Sequence, residues 1–272
     1  MRYRDLRPGC RKNRSVLETC SERPGRAADS LGFRLDTSRE GLEWTVAARP
    51  VIKRLMTPRT IVIGDLHGCA TELEEILRAT EACATDRILC VGDLICKGPD
   101  SRAVLDWAMR TPNVECVLGN HEARFLECWK NGEVPDRKPY DRETYDQLTD
   151  RFDDYMRFVA RWPRYREEKD FLLVHAGIDP RVDSLEEQDP TDLMALRNLP
   201  GTDTPWFEAY ERDRLVVFGH WVRRDPVIRP NAIGLDTGCV YGNRLSALVL
   251  PERRVVQIRA RREYRRKKSW PT

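Results

Sequence analysis

The sequence predicts an α/β fold, and two observations support this prediction. From Thr60 onward, short β-branched or apolar runs alternate with segments of helical periodicity, which is typical of strands and helices that follow one another along the chain. The chain has 272 residues, of which 40% are hydrophobic, enough for one large buried core or two small ones. We therefore expect an ordinary globular domain with parallel strands in its sheet.

Eight strands are predicted from short runs rich in Val, Ile and Leu. The last two form a hairpin that is joined across Pro251 and Glu252. The predicted strands are Ile61–Ile63, Ile88–Val91, Val114–Leu118, Phe171–Val174, Leu215–Phe218, Ala232–Leu235, Arg244–Leu250 and Val255–Arg259.

Five helices are predicted between these strands. The first begins at Thr71, which has the spacing of a capping box with Glu74, and runs to about Thr80. The segment 131–168 is expected to form a rim or lid beside the site described below. The other four helices are predicted over residues 101–110, 121–130, 141–161 and 189–197.

The two ends of the chain differ from this domain, which we expect over residues 58–260. Residues 1–57 contain short apolar pieces broken by proline and glycine, which predicts a flexible basic extension. Met56 directly precedes the first strand, so translation from Met56 is an alternative. Residues 261–272 are expected to form a basic tail, either solvated or bound to RNA or another polyanion.

Charge and composition narrow the class of protein. The formal net charge is +3, with +7 over residues 1–59, +8 over 253–272 and −12 over 60–252. Because the body is acidic, nucleic-acid binding is expected only through the basic ends. No run reaches the roughly 18 apolar residues of a membrane span, and the nine cysteines contain no CxxC pair. These features predict a cytoplasmic protein with reduced cysteines and no membrane partner.

The four histidines carry the strongest functional signal. Each follows a predicted strand in a short segment rich in Gly, Asp or Asn, and a fifth such segment lacks histidine. Since carboxyl ends of parallel strands gather along one edge of a sheet, these segments are expected to converge. A single segment of this kind is more often structural, but five that use every histidine favour a site. The segments are Gly64–Gly68, Gly92–Leu94, Gly119–Glu122, His175–Gly177 and Gly219–His220.

The donor atoms of these segments are carboxylate oxygen, amide oxygen and imidazole nitrogen. This mixture suits Mn, Fe or Zn better than Mg alone, and two ions are needed to use the whole set. The sequence therefore predicts a dinuclear metal site at the carboxyl ends of the strands.

The order of motifs GDLHG, GDLICKG, GNHE, HAG and GH resembles the calcineurin-like metallophosphoesterase superfamily. Within it, the sequence is similar to the phosphoprotein phosphatase type and above all to ApaH-like (diadenosine tetraphosphatase-like) phosphatases. The resemblance covers about residues 58–260 and implies a central β-sandwich of two mixed sheets flanked by helices. It also implies that one metal binds Asp65, His67 and Asp93, and that the other binds Asp93, Asn120, His175 and His220.

The resemblance further implies hydrolysis of phosphate esters or anhydrides by a metal-bound hydroxide, with Mn²⁺ as the first candidate and Fe or Zn as alternatives. Asp93 would bridge the two ions. His121 is the candidate acid for the leaving oxygen, the alternative being a structural partner of a metal-bound carboxylate. The substrate phosphate is expected to contact Asn120, Lys97 and Arg197, although Arg197 is equally consistent with a surface helix position.

Two departures from the protein phosphatases bear on the substrate. Cys96-Lys97 stands where those enzymes have Asp-Arg, and Leu118 stands where they have Arg. Without a carboxylate at Cys96, His121 should assist the leaving group less, which a nucleoside diphosphate tolerates better than a serine alkoxide does. Without the Arg, a bidentate phosphate clamp is lost, and a lysine does not replace it.

Dinucleoside polyphosphates or related anhydrides are therefore the expected substrates. A protein serine/threonine phosphatase acting on a phosphoprotein is the alternative. A catalytically silent binding module is a third hypothesis, which the complete ligand set disfavours. Four aromatic residues near the last motifs are nominated to stack on a nucleobase, with a core position as the alternative. They are Trp206, Phe207, Trp221 and Tyr241.

Overall fold

The computed structural model describes residues 59–267 and 269–270. The predicted extension over residues 1–57, with its alternative start at Met56, lies outside the described residues. The described part of the chain forms two mixed sheets of five strands each, flanked by helices. This arrangement confirms the predicted two-sheet α/β fold.

The ten strands include all eight that the sequence predicts, with ends shifted by no more than two residues, and two short strands that it does not. The unpredicted strands are β4 and β7, which have only three and two residues. The strands are β1 (Thr60–Ile63), β2 (Arg87–Cys90), β3 (Val114–Cys116), β4 (Tyr165–Glu167), β5 (Phe171–Val174), β6 (Leu215–Phe218), β7 (Val227–Ile228), β8 (Ala232–Gly234), β9 (Arg244–Leu250) and β10 (Arg254–Arg259).

Both sheets have parallel strands at their centres and antiparallel strands at one or both edges. The first sheet has the order β10-β9-β1-β2-β3, in which β1, β2 and β3 are parallel. The second has the order β4-β5-β6-β8-β7, in which β5, β6 and β8 are parallel. Each sheet therefore gathers carboxyl strand ends along one edge, as the metal-site prediction requires.

The helices lie between the strands along the chain. No helix of the described residues is long and apolar enough to cross a membrane. Two 3-10 turns accompany the helices, at Thr149–Arg151 and Trp206–Glu208. The helices are α1 (Ala70–Ala79), α2 (Ser101–Arg110), α3 (Asn120–Lys130), α4 (Pro139–Leu148), α5 (Phe152–Val159) and α6 (Asp192–Ala195).

The prediction of one helix over 141–161 is wrong. The segment holds two helices, α4 and α5, separated by the 3-10 turn Thr149–Arg151. Arg151 leaves helical geometry with a φ of −137°. Asp153 and Asp154 then occupy the first turn of α5, where negative charge is favoured by the helix dipole.

Two other helix predictions differ from the structure at their ends. The predicted helix 189–197 is reduced to α6, because Leu196 becomes extended with a ψ of 130° and packs in the core. The helix predicted from Thr71 begins one residue earlier, and the side chain of its N-cap, Cys69, does not cap the helix with a hydrogen bond. The capping box predicted at Thr71 is therefore wrong.

An apolar layer fills the space between the two sheets. Val62 and Leu89 from the first sheet and Leu173 and Val217 from the second are all 0% exposed. Burying an aliphatic side chain of this size stabilises the fold by about 1.5–3 kcal/mol. This layer holds the two sheets together and so fixes the relative positions of their loops.

Residues 261–267 and 269–270, which we name the C-terminal segment, contact the domain. The Tyr264 hydroxyl donates to Glu72 Oε1 at 2.8 Å, and the backbone N–H of Arg265 donates to the carbonyl of Val240 at 2.9 Å. The sequence predicted a solvated basic tail here, whereas these residues are held by hydrogen bonds.

The apolar layer yields a stability prediction at one strand pair. Ile233 and Ile228 face each other across β8 and β7, but Ile233 is 4% exposed and Ile228 is 57% exposed. We expect Ile233→Ala to lower the free energy of unfolding by about 2–5 kcal/mol, because it removes buried methyl groups and leaves a cavity. The control Ile228→Ala should change it by about 0.5 kcal/mol or less. Urea denaturation measures both, and equal losses would contradict this account of the layer.

Candidate metal centre

The polar segments predicted from the sequence meet at one place. Loops after β1 and β2 of the first sheet bring in Asp65, His67 and Asp93, and Asn120 begins α3 after β3. Loops after β5 and β6 of the second sheet bring in His175 and His220. The six predicted ligands therefore come from both sheets, and the distances below show how closely they approach.

The Asp93 carboxylate lies at the centre of this cluster and is 2% exposed. Its Oδ2 is 3.7 Å from Nε2 of His67 and 3.7 Å from Nε2 of His121. Its Oδ1 is 3.4 Å from Nε2 of His175. Burial opposes ionisation, yet the surrounding imidazoles His175, His121 and His67 bring the pKa of Asp93 well below its ordinary value. One carboxylate thus faces both halves of the site.

Two groups of side chains could each hold a cation, and they share Asp93. In each group the donor atoms lie within 4.8 Å of one another. The first group contains His121 as well as His67, whereas Asp65 belongs to neither. The groups are His67, Asp93 and His121, and Asp93, His175 and His220.

The chemistry of the donors fits a cation. His175 Nδ1 donates to the carbonyl of Val91 at 2.7 Å, so its Nε2 carries a lone pair. That Nε2 is 3.0 Å from Asn120 Oδ1, and Nδ1 of His220 is 2.9 Å from the same oxygen. Two imidazole nitrogens thus face one amide oxygen, an arrangement that a metal ion between them would stabilise.

Two imidazoles of the cluster, His67 and His220, are held in the neutral form that binds metals. Burial, with help from Lys97, lowers the pKa of His67 to about 3. Burial, with help from His175, lowers the pKa of His220 to about 3. His67 Nδ1 donates a hydrogen bond to the carbonyl of Ile95 at 3.1 Å. The lone pair that could bind a metal ion is therefore on Nε2.

Asp65 lies against the loop that carries His220. The backbone N–H of His220 contacts both Asp65 oxygens at 3.1 Å, and a Cβ at Gly219 would collide with the same carboxylate. Burial and the nearby charges of Asp236 and Asp93 raise the pKa of Asp65 well above its ordinary value. Three buried carboxylates this close favour a bound cation.

The backbone is strained at the site. Among the described residues, seven non-glycine residues have positive φ, and five of them belong to the site loops. Left-handed backbone at such residues costs about 1–3 kcal/mol each, and it persists where surrounding contacts enforce it. The five are His67, Asp93, Cys96, Lys97 and His220.

Glu122 is a site residue that sequence reasoning missed. It is 0% exposed, and its two carboxylate oxygens accept the backbone N–H groups of Asp93 at 2.9 Å and Ile95 at 3.1 Å. These bonds hold the loop after β2 in place. The signal was present in the motif GNHE, but the motif alone does not show which way the carboxylate points.

Arg124 is a second residue that sequence reasoning missed. Its Nη2 donates to Nδ1 of His121 at 3.1 Å, and its guanidinium forms a two-pronged pair with Asp141, at 2.9 and 2.6 Å. Because arginine only donates, His121 must accept at Nδ1 and carry its proton on Nε2. Burial first, then Lys97, His67 and Arg124, lower the pKa of His121 well below its ordinary value. Arg124 follows His121 by three residues on the same helix, and this spacing was the sequence signal that could have indicated their contact.

The residues nominated for substrate phosphate take different positions. Lys97 Nζ is 2.9 Å from His67 Nε2, so the ammonium lies directly at the cluster. Arg197 is exposed and lies near enough to His220 for its charge to help lower the pKa of that imidazole. Asn120 contacts His175 and His220 through its Oδ1.

Two of the four aromatic residues nominated for a nucleobase are core residues. Trp206 is 0% exposed and Phe207 is 5% exposed, so neither can stack on a ligand. Trp206 instead donates from Nε1 to the carbonyl of Ala176 at 3.1 Å and supports the His175 loop. Trp221 and Tyr241 are partly exposed.

The segment 131–168 borders the cluster, as expected for a rim. Asp141 of α4 holds Arg124, and the ring of Tyr140 lies 5.4 Å from that of His121. Cys96 is buried, and its Sγ lies 4.0 Å from Nη2 of Arg124. A cation therefore stands beside His121, near the position where protein phosphatases are expected to have a carboxylate.

Comparison with known proteins gives consistent results. A symmetrical bis(5′-nucleosyl)-tetraphosphatase of Janthinobacterium sp. (strain Marseille) is 29% identical over 268 residues, covering 74% of this chain and 96% of that protein. An asymmetrical bis(5′-nucleosyl)-tetraphosphatase of Oceanobacillus iheyensis is 26% identical, covering 75% and 93%. The crystal structure of a candidate diadenosine tetraphosphatase is similar, with a TM-score of 0.64, 30% identity and coverage of 75% and 95%.

The family profile described as calcineurin-like phosphoesterase matches residues 58–250, which is more than half of the chain. The match spans every loop that contributes to the cluster around Asp93. The chain belongs to the calcineurin-like phosphoesterase family, and it is a phosphoester or phosphoanhydride hydrolase.

Proposed function

We propose that this protein hydrolyses the phosphoanhydride bonds of dinucleoside polyphosphates such as diadenosine tetraphosphate. The observation that carries the proposal is the convergence of imidazole, carboxylate and amide groups around Asp93, where two groups of candidate ligands share one carboxylate. The tetraphosphatase names of the relatives support the substrate class.

Two divalent cations fit the proposed site, with Mn²⁺ as the first candidate and Fe or Zn as alternatives. Their proposed ligands are the six residues predicted from the sequence. When bound, such a pair supplies positive charge for the phosphate and a water acidic enough to act as a nucleophile at neutral pH. The six ligands are Asp65, His67, Asp93, Asn120, His175 and His220.

His121 is proposed to stabilise the leaving oxygen through its Nε2–H. Its Nδ1 accepts from Arg124, so the imidazole is neutral and presents a hydrogen-bond donor to the site. A neutral imidazole is a weak proton donor, which suffices for a phosphate leaving group whose oxygen is only weakly basic. The geometry thus supports anhydride cleavage over ester cleavage.

Lys97, Arg197 and Asn120 are the proposed contacts of the substrate phosphate. Lys97 donates to His67 Nε2 in this structure. With that nitrogen bound to a cation, the ammonium is free to pair with a phosphate oxygen. The exposed position of Arg197 suits a contact to the outer part of a polyphosphate.

The alternative of a protein serine/threonine phosphatase is not favoured. Leu118 is 9% exposed and belongs to an apolar cluster, so no cationic clamp stands at that position. The relatives at 26–29% identity are named for nucleotide hydrolysis. Nucleic-acid binding by the basic ends stays a prediction.

A side-by-side assay tests the proposed function. Manganese-loaded protein should be offered diadenosine tetraphosphate, inorganic polyphosphate, capped RNA and a phosphoserine peptide. We expect the first to be cleaved with the highest kcat/KM, and chromatography of its products separates two modes. ADP alone establishes symmetrical cleavage, and ATP with AMP establishes asymmetrical cleavage. Faster hydrolysis of the peptide would contradict the proposal.

The role of Glu122 gives a prediction about metal affinity. In Glu122→Gln the amide nitrogen cannot accept, so one of the two backbone N–H groups of the loop carrying Asp93 loses its partner. We expect Mn²⁺ affinity to fall by about 10–100-fold, as measured by titration of metal-free protein and by metal analysis. The control Glu127→Gln changes an exposed residue of the same helix and should have no effect. Unchanged affinity in Glu122→Gln would show that Glu122 does not position the metal ligands.

The environment of Cys96 gives a prediction about substrate preference. Burial, followed by the charges of Lys97, His67 and Arg124, lowers the pKa of His121. In Cys96→Asp the new carboxylate lies beside Arg124 and opposes this lowering. A larger fraction of His121 is then protonated. Protonated His121 can give a proton to the leaving oxygen, which accelerates the departure of a basic leaving group most. We expect kcat/KM for a phosphoserine peptide to rise by about tenfold relative to diadenosine tetraphosphate. Cys96→Ser is the neutral control, and equal changes on both substrates would contradict the leaving-group argument.

A further inference from the structure

The C-terminal segment is fixed at the mouth of the candidate site. The backbone N–H of Arg261 and the Tyr264 hydroxyl both donate to the buried carboxylate of Glu72, at 2.9 and 2.8 Å. The backbone N–H groups of Tyr264 and Arg265 both donate to the carbonyl of Val240, at 3.1 and 2.9 Å. Arg265 Nε also donates to the carbonyl of Lys97, at 3.3 Å. The segment is thereby tied to the loops that border the metal ligands.

This anchoring brings a second ammonium group close to the site. Lys267 Nζ lies 4.8 Å from the centroid of the Tyr241 ring, and Lys97 Nζ lies 5.8 Å from the same centroid. Lys97 directly contacts His67, whereas Lys267 contacts none of the six proposed metal ligands. Both ammonium groups therefore lie beside the Tyr241 ring.

Lys267 has no ion-pair partner among residues 59–267 and 269–270, although it is only partly exposed. Burial lowers the pKa of Lys267, and the charges of Lys97 and Arg197 lower it further, while Asp236 opposes them. Within the described part of the chain, the side chain of Lys267 thus has no direct ion pair that would compete with an anionic ligand for its ammonium group. An unpaired ammonium group is available to a phosphate oxygen.

The surroundings of Lys267 are aromatic as well as cationic. Its Nζ lies 5.7 Å from the centroid of the Trp270 ring, and the guanidinium of Arg224 lies 5.0 Å from the same centroid. Trp270 in turn packs against Gly238, where a Cβ would come within 2.7 Å of the indole. Aromatic surfaces beside cations match the two parts of a nucleotide, its base and its phosphates.

We propose that Lys267 binds the phosphates of a polyphosphate substrate that lie beyond the one at the metal centre, and that the C-terminal segment thereby selects polyphosphates over phosphate monoesters. This inference rests on the proposed function. A single phosphate at the cluster reaches Lys97, whereas a chain of several phosphates extends from Lys97 to Lys267. Lys267 is thus a specificity residue and takes no part in bond cleavage.

The first test compares substrates of different length. In the full-length, manganese-loaded protein, Lys267→Met removes the charge and keeps the length of the side chain. We expect KM for diadenosine tetraphosphate to rise about tenfold or more, as the loss of a charged hydrogen bond implies, with kcat little changed. KM for para-nitrophenyl phosphate should stay as it is, and Lys267→Arg should restore most of the affinity for the longer substrate.

The neighbouring residue supplies the control. Arg266 carries the same charge but is exposed, and Arg266→Met should leave both KM values unchanged. If Arg266→Met weakens binding as much as Lys267→Met, the effect is one of net charge and the proposal is overturned. Unchanged KM for diadenosine tetraphosphate in Lys267→Met overturns it as well.

A binding measurement separates this proposal from the proposed function. Titration calorimetry with tripolyphosphate and with orthophosphate, both added as manganese complexes, requires no turnover. Lys267→Met should weaken tripolyphosphate binding about tenfold and leave orthophosphate binding unchanged. If the wild-type protein fails to cleave diadenosine tetraphosphate but shows this difference, the function is wrong and the role of Lys267 stands. If Lys267→Met weakens the binding of tripolyphosphate and orthophosphate equally, the proposed role of Lys267 is wrong.

Discussion

The carboxylate of Asp93 is the point on which the rest of the site depends. It faces three imidazoles, and its Oδ1 also accepts the backbone N–H of His121 at 3.1 Å, in the first turn of α3. Gly119, the N-cap of α3, has no side chain to cap the helix, and a Cβ there would collide with this carboxylate. Asp93 thus stabilises the start of a helix and lies between the two ligand groups, which explains why its strained φ of 50° is retained.

Four residues near the start of α3 make different contacts around that carboxylate. Asn120 meets His175 and His220 from the second sheet, His121 faces the first ligand group, and Glu122 turns inward to hold the loop of Asp93. Arg124, one turn later, reaches back to His121. Because neighbouring residues of a helix point in different directions around its axis, one short helix can contact loops of both sheets at once. The apolar layer between the sheets fixes the relative positions of the two sets of loops.

The sequence was sufficient for the parts of the fold and site that repeat a local pattern. The strands that precede the histidine loops are short runs rich in apolar residues, and each histidine follows a strand, so their convergence could be predicted. The break between α4 and α5 could not, because the apolar positions continue through it and only the backbone of Arg151 departs from the helix. The contacts of Glu122, Arg124 and Lys267 were also hidden, since a charged residue on a helix or near a chain end is usually solvated and only tertiary contacts show otherwise.

The electrostatic balance around His121 connects these hidden contacts to the chemistry. Asp141 neutralises Arg124 through two hydrogen bonds, yet one guanidinium N–H remains directed at His121. An imidazole fixed in this way donates a hydrogen bond but does not readily give up a proton. The negative charge that develops on the leaving oxygen then has to be stabilised by cations. The ammonium group of Lys97, which lies 2.9 Å from His67 Nε2, is a cation placed at the cluster. A polyphosphate leaving group, which departs as an anion of low basicity, is the kind of product that this arrangement stabilises.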